Sequence, residues 1–247
     1  MRADIVMVCG KRDLPWLHYS LQLIQKYWTP VGRVIVRLDE DCRPAVENWT
    51  LSGVDYYYVK PWPDGYGFQM FCKLTADDYS DADVIVLWDS DLMLTGPANL
   101  GWIFWDGKPI IEWQEWCEAV SNSEKIWRKP TSIMMGMELE KEYMCGAPFI
   151  FWRETFSKCR HQIAKTHRRS VRDCLYSETP FRADNFLNHP HKWADYEGLG
   201  LTAAQLEPDR YLFRHNRDRP RDWPWKLYWS HGGLTPEIEK VLISSLC

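Results

Sequence analysis

The sequence predicts an α/β fold in which a mostly parallel sheet is flanked by helices. Short apolar runs alternate along the chain with amphipathic segments, an order typical of alternating strands and helices. The run from Val84 to Trp88 is continuous and rich in β-branched residues, as strands buried on both faces are. The 247 residues contain no linker, low-complexity tract or internal repeat, so we expect one domain over residues 1–247.

Strands and helices alternate clearly in the first part of the chain. Apolar residues from Leu17 to Trp28 recur at spacings of four, three and four, which predicts an amphipathic helix. Prolines and a glycine predict a loop over residues 60–65. The other elements expected here are strands at residues 5–8, 33–38 and 54–59, and a helix over residues 43–51.

The alternation continues through the second part of the chain. A helix through Gln69, over residues 67–74, leads into the buried strand that starts at Val84. Apolar residues from Trp152 to Ile163 recur at helical spacing and predict a further helix. The remaining expected elements are strands near residues 109–112, at 145–152 and at 226–229, and a helix over 236–246.

Two carboxylates one residue apart, Asp89 and Asp91, follow the buried strand. Such like charges repel unless a cation lies between them or one of them takes up a proton. A divalent ion held by hard oxygen ligands is the simplest way to stabilise the pair. Open parallel sheets also bind ligands at the carboxyl ends of their strands. The pattern therefore predicts a metal site, although an aspartate after a strand is also common as a turn residue or helix N-cap.

The chain resembles the nucleotide-sugar-dependent glycosyltransferases of the GT-A fold, which is Rossmann-like. The resemblance rests on the opening strand and loop through Asp13, the stretch from Gln69 to Leu74, the motif Asp89-Ser90-Asp91 and the late His231. It is strongest to small microbial and phage members. It implies a mostly parallel mixed sheet flanked by helices, and an Mn²⁺ or Mg²⁺ ion that holds the diphosphate of a nucleoside-diphosphate sugar. We expect a UDP-sugar as donor.

The resemblance also implies site residues. Residues 1–112, approximately, would bind the nucleotide and residues 113–247 the acceptor. The implied metal ligands are Asp89, Asp91 and His231, and the implied donor-binding residues are Arg12, Asp13, Asp39, Gln69, Lys73, Asp89 and Gly146. Gln69 and Lys73 are one helical turn apart and so share a face. Plain alternatives stay open, namely a solvated charge at Arg12 or the neighbouring Lys11, a turn at Asp39 or Gly146, and an exposed Lys73.

An inverting transferase also needs a carboxylate that takes the proton from the acceptor hydroxyl. Two acids fall late enough in the chain to do this. Glu178 resembles the acid of a Ser-Glu pair in some related proteins, and Asp184 resembles the acidic-amide motif of other GT-A families. Because some of those families retain the anomeric configuration, the sequence leaves the stereochemical outcome open.

The acceptor is less well defined than the donor. The net charge of −4 argues against a general nucleic-acid binder. However, residues 158–172 carry six lysines and arginines and no acid, so a hydroxymethylated DNA base is one candidate acceptor. A glycan is the other, and a solvated helix face would also explain the charges. Fifteen tryptophans, five of them between Trp102 and Trp127, suit either core packing or the stacking of sugars and bases.

Two other classes of protein fit parts of the sequence. A haloacid dehalogenase-type phosphatase would use Asp89 as nucleophile and Asp91 as acid, but that class carries the motif on its first strand. A non-catalytic, tryptophan-rich carbohydrate-binding protein would need no ion and would leave the paired acids unexplained.

The expected compartment is the cytoplasm. The eight cysteines include no Cys-x-x-Cys pair, which argues against structural zinc. Several of them lie within apolar runs, as free buried thiols do, so reduced thiols are expected. The apolar run after Asp4 is too short for a signal peptide, and no segment approaches the length of a membrane span. The sequence leaves the oligomeric state undetermined.

Overall fold

The computed structural model describes residues 1–29, 32–49, 51–60, 65–119, 124–176 and 193–246, which form an α/β fold. The strands are β1 Ala3–Cys9, β2 Val34–Asp39, β3 Val54–Val59, β4 Val84–Leu87, β5 Leu92–Leu94, β6 Phe104–Trp105, β7 Lys108–Trp113, β8 Phe149–Trp152, β9 Leu212–His215 and β10 Trp225–Leu227. The α-helices are α1 Leu14–Tyr27, α2 Arg43–Val46, α3 Gly65–Leu74, α4 Lys129–Met135, α5 Arg153–His167, α6 Val171–Tyr176, α7 Asp195–Leu206 and α8 Pro236–Leu246.

The central sheet has the strand order β3-β2-β1-β4-β8. The first four strands are parallel, and β8 runs antiparallel to β4 at the edge. Ile5 of β1 is paired with Val34 on one side and with Val86 on the other. This confirms the predicted mostly parallel, mixed sheet and places the carboxyl ends of β1, β2 and β4 at one edge.

The central sheet is buried on both faces, because apolar residues on each face of β1 pack against helices. Ile5 packs in a core with Leu17 of α1, whereas the adjacent Val6 packs in a second core with Met70 of α3 and Phe156 of α5. Because successive side chains of a strand point to opposite faces, α1 lies on one face of the sheet and α3 and α5 lie on the other. Burial on both faces explains why β4 and the part of β1 after Asp4 are continuous apolar runs.

Two smaller sheets extend the fold. β5 and β10 form an antiparallel pair, and β6-β7-β9 form a three-stranded sheet in which β7 and β9 are parallel. The strand predicted near residues 109–112 is therefore present as β7, but it belongs to the second sheet. The β5–β10 pair brings the chain around residues 225–227 next to the turn that follows β4.

Several predicted boundaries differ from those in the structure. The helix expected over 43–51 is only the single turn Arg43–Val46, and Trp49 beyond it packs on the ring of His18 instead, with the ring centroids 4.6 Å apart. The strand expected over 145–152 begins only at Phe149, after Pro148, which has no amide hydrogen for a ladder. The late strand lies at Trp225–Leu227 rather than 226–229.

Helix α7 is absent from the sequence-based prediction, for a physical reason. Its first nine residues, from Asp195 to Ala203, are all buried, so it lacks the polar face that gives an amphipathic repeat. It also contains Gly198 and Gly200, which disfavour a helix in the absence of packing. A Cβ at Gly200 would overlap the ring of Tyr143, so close packing requires that glycine.

Within the described ranges, no helix is both long enough and apolar enough to cross a membrane. The seven cysteines in those ranges are free thiols, and most of them are buried.

The buried carboxylate of Asp4 offers a test of how the sheet is held together at its amino edge. It accepts hydrogen bonds from the Arg33 backbone amide (2.8 Å), the Arg33 guanidinium (3.2 Å) and the Ser80 hydroxyl (2.8 Å). We expect Asp4→Asn to lower the free energy of unfolding by about 2–3 kcal/mol, because the NH₂ group of asparagine cannot accept the hydrogen bonds that one oxygen of this buried carboxylate receives. Urea unfolding measures this change.

The matched control is Asp55→Asn. Asp55 pairs with the same Arg33 at 3.3 Å, but its side chain is 45% exposed, so the expected loss is below about 1 kcal/mol. Equal losses in the two variants would contradict this account of Asp4.

Candidate functional site

A cavity of about 560 Å³ opens at the carboxyl edge of the parallel strands. We call it the strand-edge cavity. Its wall combines the end of β1, the end of β2, the start of α3, the turn after β4, the start of α7 and the loop after β10. This is the position at which open α/β sheets bind ligands.

Most of the site residues predicted from the sequence line the strand-edge cavity. Those that line it are Arg12, Asp13, Asp39, Gln69, Lys73, Asp89, Asp91 and His231. Gly146 does not line it, and Glu178 and Asp184 lie outside the described residues. Residues that are more than 200 positions apart in the sequence therefore meet at one site.

Gly146 has a different environment from the one expected. A Cβ at this position would overlap the carboxylate of Glu112 and the guanidinium of Arg219. These two groups form an ion pair, and Arg219 also donates to the carbonyl of Cys145 at 2.7 Å. The close approach at Gly146 is thus to an ion pair of the protein, not to the strand-edge cavity.

The turn after β4 presents its residues to the strand-edge cavity. β4 ends at Leu87, and the buried Trp88 anchors the turn by donating from its indole nitrogen to Ser20 Oγ (3.1 Å) and to the Leu92 carbonyl (2.9 Å). Ser90 would point away from the aspartates if the strand continued. Because the strand has ended, Asp89, Ser90 and Asp91 all line the cavity.

A buried lysine stabilises the first aspartate of the pair. Lys73 Nζ donates to Asp89 Oδ1 at 2.8 Å and lies 3.8 Å from Asp195 Oδ2. The Tyr196 hydroxyl donates to the same Asp89 oxygen at 2.6 Å. Burial alone lowers the pKa of Lys73, but Asp195 and Asp89 outweigh it and raise that pKa. Lys73 is therefore a charged side chain in the wall of the site rather than an exposed lysine.

Asp91 ties the turn to the loop that follows β10. Its carboxylate accepts the Ser230 amide at 2.9 Å, and its carbonyl accepts the Tyr228 amide at 2.9 Å. Burial, and then the charge of Asp89, raise the pKa of Asp91 above its ordinary value. His231 is the next residue along this loop and is exposed at the rim of the strand-edge cavity.

The donor set at this turn suits a hard divalent ion, although it is incomplete. Among the described residues, no three His, Cys, Asp or Glu side chains stand together as a metal-binding group. Mg²⁺-type ions are usually held by one or two carboxylates, with waters and substrate phosphates as the other ligands. Burial, and then the charge of Asp89, raise the pKa of Asp91, so a cation beside its carboxylate would be favourable. Asp89 and Asp91 are two carboxylates, which is the number that such an ion commonly takes from the protein.

The end of β2 contributes an unpaired acceptor to the strand-edge cavity. Asp39 Oδ1 is buried and has no hydrogen-bond partner within the described part of the chain. Burial, and then the charge of Asp41, raise the pKa of Asp39. Buried polar groups are normally hydrogen-bonded, so this oxygen marks a position where a ligand can donate.

The loop after β1 places positive charge at the rim of the strand-edge cavity. Lys11 and Arg12 are exposed there, and Arg12 is ion-paired with Asp13 at 3.1 Å. Both side chains lie where they can reach a phosphate in the cavity.

A second cavity of about 470 Å³ adjoins the first. We call it the tryptophan cavity, because Trp127, Trp223, Trp225 and Trp229 line it. The residues shared by both cavities are Asp89, Trp127, Met144, Tyr196, Leu227 and Trp229. Of the five tryptophans between Trp102 and Trp127, only Trp127 lines either of these two cavities.

The basic stretch of residues 158–172 lies apart from the two cavities. Lys158 is ion-paired with Glu207 at 2.6 Å, and Arg160 is ion-paired with Asp77. None of its lysines and arginines lines either cavity.

Sequence reasoning missed Asp195 and Tyr196, which lie at the start of the unpredicted helix α7. The tryptophans that follow Pro220 and line the tryptophan cavity were also not predicted as site residues. Trp223 and Trp225 are two residues apart and Trp229 lies four residues further on, and these even spacings, which place side chains on one face of an extended segment, were the available signal.

Comparison of the chain with models of known protein families gives no match, and no curated protein matches its sequence. The site therefore has to be interpreted from its own geometry and chemistry.

The buried charge cluster generates a stability prediction. We expect Lys73→Met to lower the free energy of unfolding at pH 7 by about 3–5 kcal/mol, because Asp89 and Asp195 lose their common counter-ion. Burial already raises the pKa of Asp195, and Lys73 opposes that rise. Without Lys73 the folded state binds protons more tightly than the unfolded state, so the variant should regain part of its stability as the pH falls.

Urea unfolding of both proteins at pH 7 and pH 5 measures the effect. Gln69→Met is the control, because Gln69 lies one turn earlier on the same face of α3 and outside the charge cluster. A loss in Lys73→Met that is independent of pH would contradict the assignment of charge.

Proposed function

We propose that this protein is a metal-dependent glycosyltransferase that moves a sugar from a nucleoside-diphosphate sugar, with UDP the expected nucleotide, to an acceptor hydroxyl. The observation that carries this proposal is the strand-edge cavity. It brings the paired acids Asp89 and Asp91 together with the unpaired oxygen of Asp39 and the rim charges of Lys11 and Arg12.

The dimensions and lining of the strand-edge cavity support a nucleotide-sugar donor. Its volume of about 560 Å³ lies within the range of small-molecule sites. Asp39 is placed to accept from the ribose or base, since its Oδ1 lacks a partner among the described residues. Lys11 and Arg12 would contact the diphosphate.

An Mn²⁺ or Mg²⁺ ion would be held by Asp91, and by Asp89 where its remaining oxygen allows. When bound, the ion offsets the charge that gathers on the diphosphate leaving group. His231 lies on the loop whose position Asp91 fixes through Ser230, so it can reach the same region.

The protein's own side chains orient the reacting groups. Lys73 and Tyr196 hold one oxygen of Asp89 in place, so the carboxylate needs little rearrangement when a donor binds. Trp229 borders both cavities. The donor sugar would therefore lie near Asp89 and Trp229, where the two cavities meet.

Nucleotide binding coupled to the ion is the direct test of the proposal. We expect UDP or another nucleoside diphosphate with Mn²⁺ to raise Tm by about 5–10 °C at about a hundred times Kd, and by much less without the ion. Asp91→Asn should remove this synergy and leave the unliganded Tm nearly unchanged, since the amide oxygen of the asparagine can still accept the hydrogen bond from the Ser230 amide. A thermal-shift screen of nucleoside diphosphates, each with and without Mn²⁺, measures both effects.

The control for this screen is Asp106→Asn. Asp106 is exposed in the hairpin between β6 and β7 and lines neither cavity. The site assignment is wrong if the Asp91 variant still couples nucleotide to ion as the native chain does.

Asp39 provides a second, independent test of the donor site. Asp39→Ala should weaken nucleoside-diphosphate binding about tenfold or more, because it removes a charged acceptor that the nucleotide would satisfy. Isothermal titration with the nucleotide found in the screen measures this loss. Asp41→Ala is the control, since Asp41 is exposed two residues away and does not line the cavity. Equal affinities in the native and Asp39→Ala proteins would remove Asp39 from the site.

A further inference from the structure

The tryptophan cavity contains a carboxylate that the donor site does not use. The described acids that line it are Asp89, Glu118 and Glu142. Asp89 already accepts from Lys73 and Tyr196, as described above. Glu118 is ion-paired with Arg217 at 2.7 Å. The hydrogen bond from the Glu115 backbone amide, and then the charge of Arg217, lower the pKa of Glu118, so Glu118 is a weak base. Glu142 is the remaining candidate for proton transfer.

A chain of side-chain amides fixes the orientation of Glu142. Asn216 Nδ2 donates to Gln114 Oε1, so the amide group of Gln114 must present its NH₂ to Glu142, where it donates to Oε2. The backbones of Gln114 and Glu142 also bond to each other in both directions, at 3.0 Å each. One carboxylate oxygen is thereby held. Burial raises the pKa of Glu142, and the bond from Gln114 opposes that rise only in part, which favours proton acceptance.

We propose that Glu142 is the base that takes the proton from the acceptor hydroxyl, and that the acceptor bound in the tryptophan cavity is a neutral sugar ring. This inference rests on the function proposed above. Glu178 and Asp184, the two acids predicted from the sequence, lie outside the described residues. Variants of all three acids distinguish between them.

The reaction that follows is a single displacement. The acceptor oxygen attacks the anomeric carbon of the donor sugar as its proton passes to Glu142. The bond from that carbon to the diphosphate oxygen breaks, and the nucleoside diphosphate leaves with the electron pair. One carbon–oxygen bond forms and one breaks, so the product has the inverted anomeric configuration.

The lining of the tryptophan cavity favours a neutral sugar over a phosphate-bearing acceptor. Its described cationic side chain is Arg219, which is engaged by Glu112 and by the carbonyl of Cys145. The aromatic faces suit the apolar face of a sugar ring. Trp223 Nε1 is buried and lacks a hydrogen-bond partner within the described residues, so it can donate to a sugar hydroxyl while Glu142 accepts from another.

The test compares Glu142→Gln with Glu140→Gln, an exposed acid two residues earlier that lines neither cavity. Each protein receives Mn²⁺, the UDP-sugars or other donors of the nucleotide found by thermal shift, and p-nitrophenyl glycosides as acceptors. Products are measured by mass spectrometry. We expect Glu142→Gln to lose about a hundredfold or more in transfer rate, with the stabilisation by nucleotide and Mn²⁺ unchanged. Glu140→Gln should transfer as the native chain does.

The outcomes separate this inference from the proposed function. A chain that no nucleoside diphosphate stabilises overturns both. If the nucleotide binds but Glu142→Gln transfers normally, or if Glu178→Gln or Asp184→Asn abolishes transfer in its place, the base assignment is wrong. A product with retained anomeric configuration overturns it as well. Two results overturn the assignment of a neutral sugar acceptor. One is transfer to a DNA duplex containing 5-hydroxymethylcytosine but to none of the glycosides. The other is transfer to neither the duplex nor the glycosides.

Discussion

The repulsion between acids at the end of β4 is the constraint on which the rest of the site depends. Asp89, Asp91 and Asp195 converge there, and the buried ammonium of Lys73 contacts two of them. One cation does not balance three carboxylates, and the pKa values of Asp91 and Asp195 are raised above their ordinary values, chiefly by burial. A divalent ion beside these acids would therefore be favourable, because it would add positive charge where the carboxylates repel one another.

The same constraint links the two cavities. Lys73 and Tyr196 fix Asp89, and the ring of Tyr196 stacks on Phe149 with centroids 3.8 Å apart. Asp89 and Tyr196 line both cavities, so a donor sugar held near them would face the aromatic wall of the tryptophan cavity. On the opposite side, Asp91 fixes the loop that carries Trp229. A small number of charged contacts therefore sets the relative positions of the proposed donor and acceptor sites.

The sequence was sufficient for the parts of this arrangement that depend on local patterns. The parallel sheet followed from continuous apolar runs. Asp89 and Asp91 were predicted as site residues because ligands bind at the carboxyl ends of strands in such sheets, whereas Asp39 was predicted from the resemblance to GT-A enzymes. Tyr196 could not be found in the same way. Its helix is buried on all sides and contains Gly198 and Gly200, so only tertiary packing determines it. Glu142 was missed because the orientation of its carboxylate depends on Gln114 and Asn216, which are distant in sequence.

We propose that Asp89 and Asp91 bind a divalent ion together with the diphosphate of a nucleotide. Anomalous diffraction from crystals of the protein grown with Mn²⁺ and UDP, or whichever nucleoside diphosphate stabilises it, tests this most directly. We expect an Mn²⁺ peak bonded to the Asp91 carboxylate and to diphosphate oxygens within the strand-edge cavity. A nucleotide bound elsewhere, with Asp91 still bonded only to the Ser230 amide, would contradict it.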